Sequence, residues 1–319
     1  MPRVSNTRRT SRAATHSGSW YSNNASTLSE QIQTWMAEAS AQQPPRAGTQ
    51  ATKAIIAPHA GYAYSGRTMA FAYSHLPDPA SVKRIFILGP LHHVYSDKCH
   101  LSGCARVETP LGNLTVDTAT VKELVDAHPE LMATLDIGDD EEEHSVEMHL
   151  PYVAHYIKSG LGSSEEGGHL VVPMMVGALS PAREQRVGEI LAPYLMDPAT
   201  IFIISSDFCH WGRRFGFQYH DVDRFESIHE GIAWLDSEGM KAIEAKKSDG
   251  FVEYLIKYSN TICGRHPIGV LLCALEHGHG GDISKYDIGF TKYDRSSLVE
   301  DMSDSSVSYC SAVVRCVHE

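Results

Sequence analysis

TIFIISSDFCHWG, residues 200–212, has the form of a buried strand that stops abruptly and is followed at once by an acid, a thiol and an imidazole: Asp207, Cys209 and His210. Two other stretches repeat the arrangement. KAIIAPHAGY (53–62) places His59 just past an apolar run, and RIFILGPLHH (84–93) places His92 and His93 past another. Short runs rich in Ile and Phe and unbroken by polar residues suit strands buried on both faces, the pattern of a parallel sheet. With 169–176 as a fourth such run and helix-length segments between them, the sequence predicts right-handed crossovers with helices on both faces. The expected fold is therefore α/β, a three-layer sandwich around a mostly parallel central sheet. Carboxyl ends of parallel strands all point one way, so these polar residues are expected to converge in one crevice although they are far apart in sequence.

Working outward, Thr27 and Glu30 suggest a capping box, with Leu28, Ile32, Trp35 and Met36 following at helical spacing. Residues 40–52 are expected to be a loop and 221–277 mostly helical. Segments 284–293 and 306–317 are expected to close the sheet as antiparallel edges. The stretch 159–168 suits a flexible surface loop, and the run Asp139 to Glu143 a solvated acidic turn without chemistry. Residues 1–15, with Arg3, Arg8, Arg9 and Arg12 and no acid, suit a disordered tail before one α/β domain over 16–319.

Composition excludes several classes of function. The chain has 319 residues and a formal charge of -12, which repels nucleic acid and anionic lipid. No apolar run approaches the roughly 20 residues of a membrane-spanning helix. Seven cysteines, an odd number scattered through the chain, fit reduced thiols in a reducing compartment. The expected location is the cytoplasm, with the nucleus also open to the protein, and no nucleic-acid or membrane partner is expected.

Histidine and carboxylate are ligands for divalent iron, copper and zinc, and three such groups leave coordination positions open for a substrate. A single histidine after a strand is more often a hydrogen-bonded loop residue, but agreement among three strand ends favours His59 and His92 as functional. His93 points the other way along an extended segment and is expected at the rim. Asp207 and His210 either belong to the chemistry or form a structural hydrogen-bonded pair. In NTICGRHPIGVLL (260–272), Pro267 suits the first residue of a helix, which puts Cys263 just before a helix N-terminus where a thiolate is favoured. A packed core thiol is the alternative there. EEHSVEMHLP (142–151) supplies His144, Glu147 and His149 at a spacing unlike the HExxH of zinc proteases, and Glu147 and His149 are expected as pocket-wall or supporting groups. HSGSWY (16–21) brings His16, Trp20 and Tyr21 to either the crevice rim or a hydrophobic staple.

Taken together, HSGSWY, AIIAPHAGYAYSG, IFILGPLHHV, EHSVEMHLPY, SSDFCHWGRRF and NTICGRHPIGVLL, in this order, resemble the Memo family, named for mediator of ErbB2-driven cell motility. The resemblance spans roughly residues 16 to 318. It implies a fold similar to that of class III extradiol (LigB-type) dioxygenases, which hold nonhaem Fe(II). It implies further that His59, His92 and Cys263 bind iron or copper, zinc being less expected, with Asp207 and His210 nearby. The same resemblance implies an influence on cellular redox state and signalling, and for the animal member the binding of phosphotyrosine-containing peptides. Leu91 departs from the small polar residue common before the histidine pair, which makes that wall more apolar. Replacing a carboxylate ligand with a thiolate alters the metal preference, so catechol cleavage is not assumed.

Three functions are thus open from the sequence. The first is a redox-active metal protein in which Asp207 and His210 orient ligands or move protons, taking a small molecule or dioxygen at the metal. The second is a binding module for phosphopeptides or small anions, with Arg213, Arg214 and Arg265 as anion contacts. The third is a zinc-dependent hydrolase.

Overall fold

A computed structural model of the protein describes residues 10–43, 51–160 and 168–317. The strands, in chain order, begin with β1 (Ser11–Arg12), β2 (Ala51–Ala57), β3 (Arg84–Pro90) and β4 (Cys99–Ser102). Then come β5 (Arg106–Val107), β6 (Leu114–Val116), β7 (Met132–Leu135) and β8 (Leu170–Val176). The last four are β9 (Thr200–Ser205), β10 (Asp207–Trp211), β11 (Tyr286–Arg295) and β12 (Ser306–Cys316). The α-helices are α1 (Ala25–Gln42), α2 (Tyr62–Tyr73), α3 (Thr118–Ala127), α4 (Ile137–Glu142) and α5 (Leu150–Gly160). They continue with α6 (Pro181–Met196), α7 (Ile228–Glu244), α8 (Ser248–Tyr258) and α9 (Arg265–His277).

The sheet runs β1-β5-β6-β8-β3-β9-β2-β12-β10, with parallel pairing from β6 through to β2. β3, β9 and β2 are adjacent, which is what brings their carboxyl ends, and hence His92, Asp207 and His59, to one rim. Their interiors are almost wholly buried: Ile85 to Leu88, Ile203, Ile204 and Ala54 to Ala57 have no exposed surface. Burial on both faces explains the unbroken apolar runs, since one helix group (α1, α2, α5) and a second (α6, α8, α9) cover the sheet. The mostly parallel three-layer α/β architecture expected from the runs is the one observed. Among the described residues no helix is long and apolar enough to cross a membrane.

Several local expectations are corrected. β11 and β12 are antiparallel as expected, but β12 is no edge: it bonds β11 on one side and both β2 and β10 on the other. Val307 to Val314 is accordingly buried at every position, as an internal strand requires. Helix α1 starts earlier than the Thr27/Glu30 pair suggests, with the Asn24 side chain accepting the Thr27 N–H as the N-cap. Most of the loop expected over 159–168 lies outside the described residues, as does part of that over 40–52. The tail expected over 1–15 is not a tail at residues 10–15: Ser11 and Arg12 pair with Arg106 and Val107, and Arg12 is 2% exposed. A guanidinium can be buried there because the carboxylates of Asp140 and Glu147 and the backbone carbonyls of Asp140 and Glu143 receive it, as described below.

Candidate metal centre

His59 leaves the end of β2 and is buried, its backbone N–H donating to Asp207 Oδ1 at 2.8 Å. One carboxylate thus ties the ends of β2 and β9 together. The imidazole tautomer follows from its neighbour. Ser205 Oγ lies 2.6 Å from His59 Nδ1 and donates to the Ser145 carbonyl at 2.7 Å, so it accepts the Nδ1 proton and leaves an Nε2 lone pair. That Nε2 faces Cys263 Sγ at 3.2 Å.

His92, two residues beyond β3, is gripped twice by Glu143, whose carboxylate accepts its backbone N–H at 2.5 Å and lies 2.9 Å from Nδ1. With Nδ1 occupied, Nε2 is again the free donor, an arrangement that fixes ring orientation in metal-binding histidines. His144 completes the group. The ligand atoms of His59, His92 and His144 all lie within 4.8 Å of one another, and the His92 and His144 rings stack with centroids 4.6 Å apart. Three imidazoles and a sulfur therefore crowd one rim, from buried His59 out to His92 at the mouth.

Cys263 is brought in by the turn before α9. The helix begins at Arg265, two residues before Pro267, with Gly264 as its N-cap. A Cβ on Gly264 would sit 2.3 Å from Ser206 Cβ, so only glycine lets the turn lie against the end of β9. The Asp207 N–H points at Sγ from 3.3 Å. Burial pushes the Cys263 thiol well above its ordinary range, and the Asp207 carboxylate adds to this against the N–H groups of Asp207 and Gly264. The helix end alone does not make the thiolate expected from the sequence; a bound cation is the group able to do so.

The surrounding charges are unusual. Asp140, Glu143, Glu147 and Asp207 are each at most 4% exposed, and Arg12 is the buried cation among them. Burial pushes Asp207 up, opposed by the nearby His210 and by the His59 and Ala60 N–H groups. Burial would also raise Glu143, but the hydrogen bonds and charge of His92 and the Ser145 N–H hold it at about 2. Glu147 is likewise held at about 2, burial being outweighed by His16, Arg12 and Tyr21. Burial first, then the charge of His92, lowers His144 to about 3, and burial with the neighbouring histidines lowers His59 well below its ordinary value. The neutral imidazoles of His59 and His144 beside the ionised Glu143 and Glu147 form a donor set that fits a divalent cation.

The other expected residues fall into place around this group. Glu147 accepts from His16 N, His16 Nδ1 and the Tyr21 hydroxyl at 2.8, 2.9 and 2.8 Å. This carboxylate fixes the HSGSWY segment as a wall, with Trp20 tilted against His144 at 4.6 Å. His93 stands at the exposed rim, its ring 6.1 Å from His144. His149 lines no open wall: it is fully buried, with Nδ1 2.9 Å from the Tyr73 hydroxyl. His210 directs Nδ1 to the carbonyls of Phe208 and Thr261, so no direct bond to Asp207 holds it; it acts on that acid through its charge. Arg265 lines a separate cleft of about 390 Å³ with Phe251, Leu255 and His266.

Sequence reasoning missed three residues. Glu143 sits in an acidic run that composition marks as solvated, yet Asp140 and Glu143 are buried. The readable signal was only that Glu143 opens the EHSVEMH block. Nothing in the spacing of EEHSVEMHLP gives His144 a role, and the run of arginines over residues 1–15 makes Arg12 look like part of a tail.

Comparison with known proteins adds a family. Residues 12–313 match the model of the "Memo-like protein" family. The chain is 43% identical to "Protein MEMO1" of Xenopus laevis and 41% identical to that of Homo sapiens, in each case over 95% of this chain and 97% of the relative. It is 42% identical to "Protein memo-1 homolog" of Caenorhabditis elegans, over 95% and 82%. Among solved structures, an uncharacterized protein from Escherichia coli K12 matches at a TM-score of 0.46 and 12% identity, covering 81% of this chain and 98% of that one.

Proposed function

The chain belongs to the Memo family, and from that premise we propose that it is a redox-active metal protein holding iron or copper between His59, His92 and Cys263, with His144 within reach as a further donor. The observation that carries this reading is the convergence of the three histidine donor atoms within 4.8 Å, with Cys263 Sγ 3.2 Å from His59 Nε2. Two features of the surroundings support it. Both Nδ1 atoms are committed, to Ser205 and to Glu143, so that the Nε2 atoms carry the lone pairs, that of His59 meeting the Cys263 thiol. The buried acids outnumber the buried base, a costly arrangement unless a cation compensates it.

An iron or copper ion there would supply one-electron chemistry and open positions for dioxygen or a small molecule. The protein's own part is orientation and proton handling. Ser205 and Glu143 fix the ligand rings, and Asp207, tied to the His59 N–H and facing His210, is placed to hold or release a proton at the inner wall. Trp20 and His16 shield one side. No ring-cleaving activity is assigned.

Titration of chelator-stripped protein with Cu(II) or Fe(II) tests the reading. One equivalent should bind to the wild type, and His59→Ala should abolish binding; equal binding by both proteins would end it.

A second reading rests on the rim. Trp20 is 37% exposed beside His16 and His144, a surface suited to a phosphotyrosine-containing peptide. Binding of such a peptide that persists in His59→Ala would favour it.

A further inference from the structure

Arg12 lies outside the ring cluster, yet it touches the supports of two of its sides. Nε donates to Asp140 Oδ1 at 2.8 Å, Nη1 to Glu147 Oε2 at 2.7 Å, and Nη2 to the carbonyls of Asp140 and Glu143 at 2.7 and 2.8 Å. Glu147 is the carboxylate that orients His16 and Tyr21, and Glu143 the one that orients His92. A single planar fork therefore spans the backbone and side chains that set both the aromatic wall and a proposed ligand.

The segment carrying Arg12 is short, and its backbone is tied to β5 by Ala105 and Arg106 N–H donating to the Thr10 carbonyl and Glu108 N–H donating to the Arg12 carbonyl. β1 contributes two paired residues, supported by Ser11 Oγ to Glu108 Oε1 at 2.8 Å and the Ala13 N–H to Glu141 Oε1 at 2.9 Å. Thr15 Oγ1 bonds the Glu141 carbonyl and reaches Glu147 Oε2 at 3.2 Å. Without the guanidinium, the buried Asp140 and Glu147 would both lose the arginine that pairs with them, which burial does not allow at low cost. Lysine cannot replace the fork, since its point charge lacks the planar set of donors that reaches four acceptors at once.

We propose that Arg12 is a positioning residue of the metal centre, and that docking of the N-terminal strand and metal binding are coupled through it. The proposal rests on the metal reading above. Docking of β1 orders Glu143 and Glu147, which order His92, His16 and Tyr21. By reciprocity, a bound cation must hold the strand in place.

Co(II) titration of the full chain, read by its visible and near-ultraviolet absorption, tests this. In Arg12→Met and Arg12→Lys the affinity should fall on the order of tenfold or more, with an altered spectrum and lysine recovering part of the loss, while His59→Ala abolishes the signal. Wild-type affinity and spectrum in a folded Arg12 variant would overturn the coupling while leaving the metal reading intact. A His59→Ala protein that binds Co(II) as the wild type does would instead sink the metal reading. Hydrogen exchange on the wild type needs no variant: Co(II) should slow exchange of the amides of residues 11–16, and unchanged exchange there would overturn the proposal even where both Arg12 variants fail to fold.

Discussion

Ser205 Oγ stands 2.6 Å from His59 Nδ1 and gives its own proton to the Ser145 carbonyl, so one buried hydroxyl fixes which nitrogen of His59 is free. Ser205→Ala removes that instruction and leaves the Ser145 carbonyl without its donor. Metal affinity should fall on the order of 10- to 100-fold, as for other outer supports of a ligating histidine. Stability should drop by about 1–3 kcal/mol, the usual cost of an orphaned buried group. Competition against a chromophoric chelator and urea denaturation measure the two effects.

Glu143 performs the same service for His92 and also accepts the Ser145 N–H at 2.9 Å. Glu143→Gln keeps the shape but loses the charge and one acceptor. It should weaken metal binding by a similar factor, yet leave one equivalent bound at saturation. Unchanged affinity would show that the His92 ring needs no carboxylate.

Acid should weaken the fold in two stages. His144 and His149 are held at about 3 by burial, so below the unfolded value of about 6.5 the unfolded chain takes protons that the folded chain refuses, and stability falls. Glu143 and Glu147, held at about 2, contribute stability that is complete above the unfolded value of about 4.3 and is lost as pH falls towards 2. Urea midpoints measured on chelator-treated protein from pH 7.5 to 4 should therefore decline throughout. A flat profile between pH 7.5 and 5 would contradict the buried neutral histidines.

Gly264→Ala forces a Cβ to within 2.5 Å of the Ser205 carbonyl oxygen as well as against Ser206. The turn carrying Cys263 must move away from β9. A loss of about 1–3 kcal/mol is expected from the overpacking. The near-ultraviolet thiolate band of the Co(II) protein should also be lost, while a band of wild-type intensity would mean that Cys263 does not depend on this close approach.

The sheet was legible because its strands are buried on both faces and so appear as unbroken apolar runs, and the topology then carried His59, His92 and Asp207 to one rim. β12 was misplaced because an internal antiparallel strand has the same local pattern as an edge. Glu143 and Arg12 were illegible for a different reason. A charged residue is buried only when a specific partner receives it, and the partners here are distant in sequence: Arg12 meets Asp140 and Glu147 more than 120 positions away, and Glu143 meets His92 51 positions away. Charge runs report average solvation, whereas a pair of this kind is settled by tertiary structure alone.

The most direct test of the metal centre is elemental analysis of untagged protein purified without chelator, alongside His59→Ala and Cys263→Ser. One equivalent of iron or copper in the wild type, lost from both variants, is the predicted result. Stoichiometric zinc, or iron and copper retained in both variants, would contradict it.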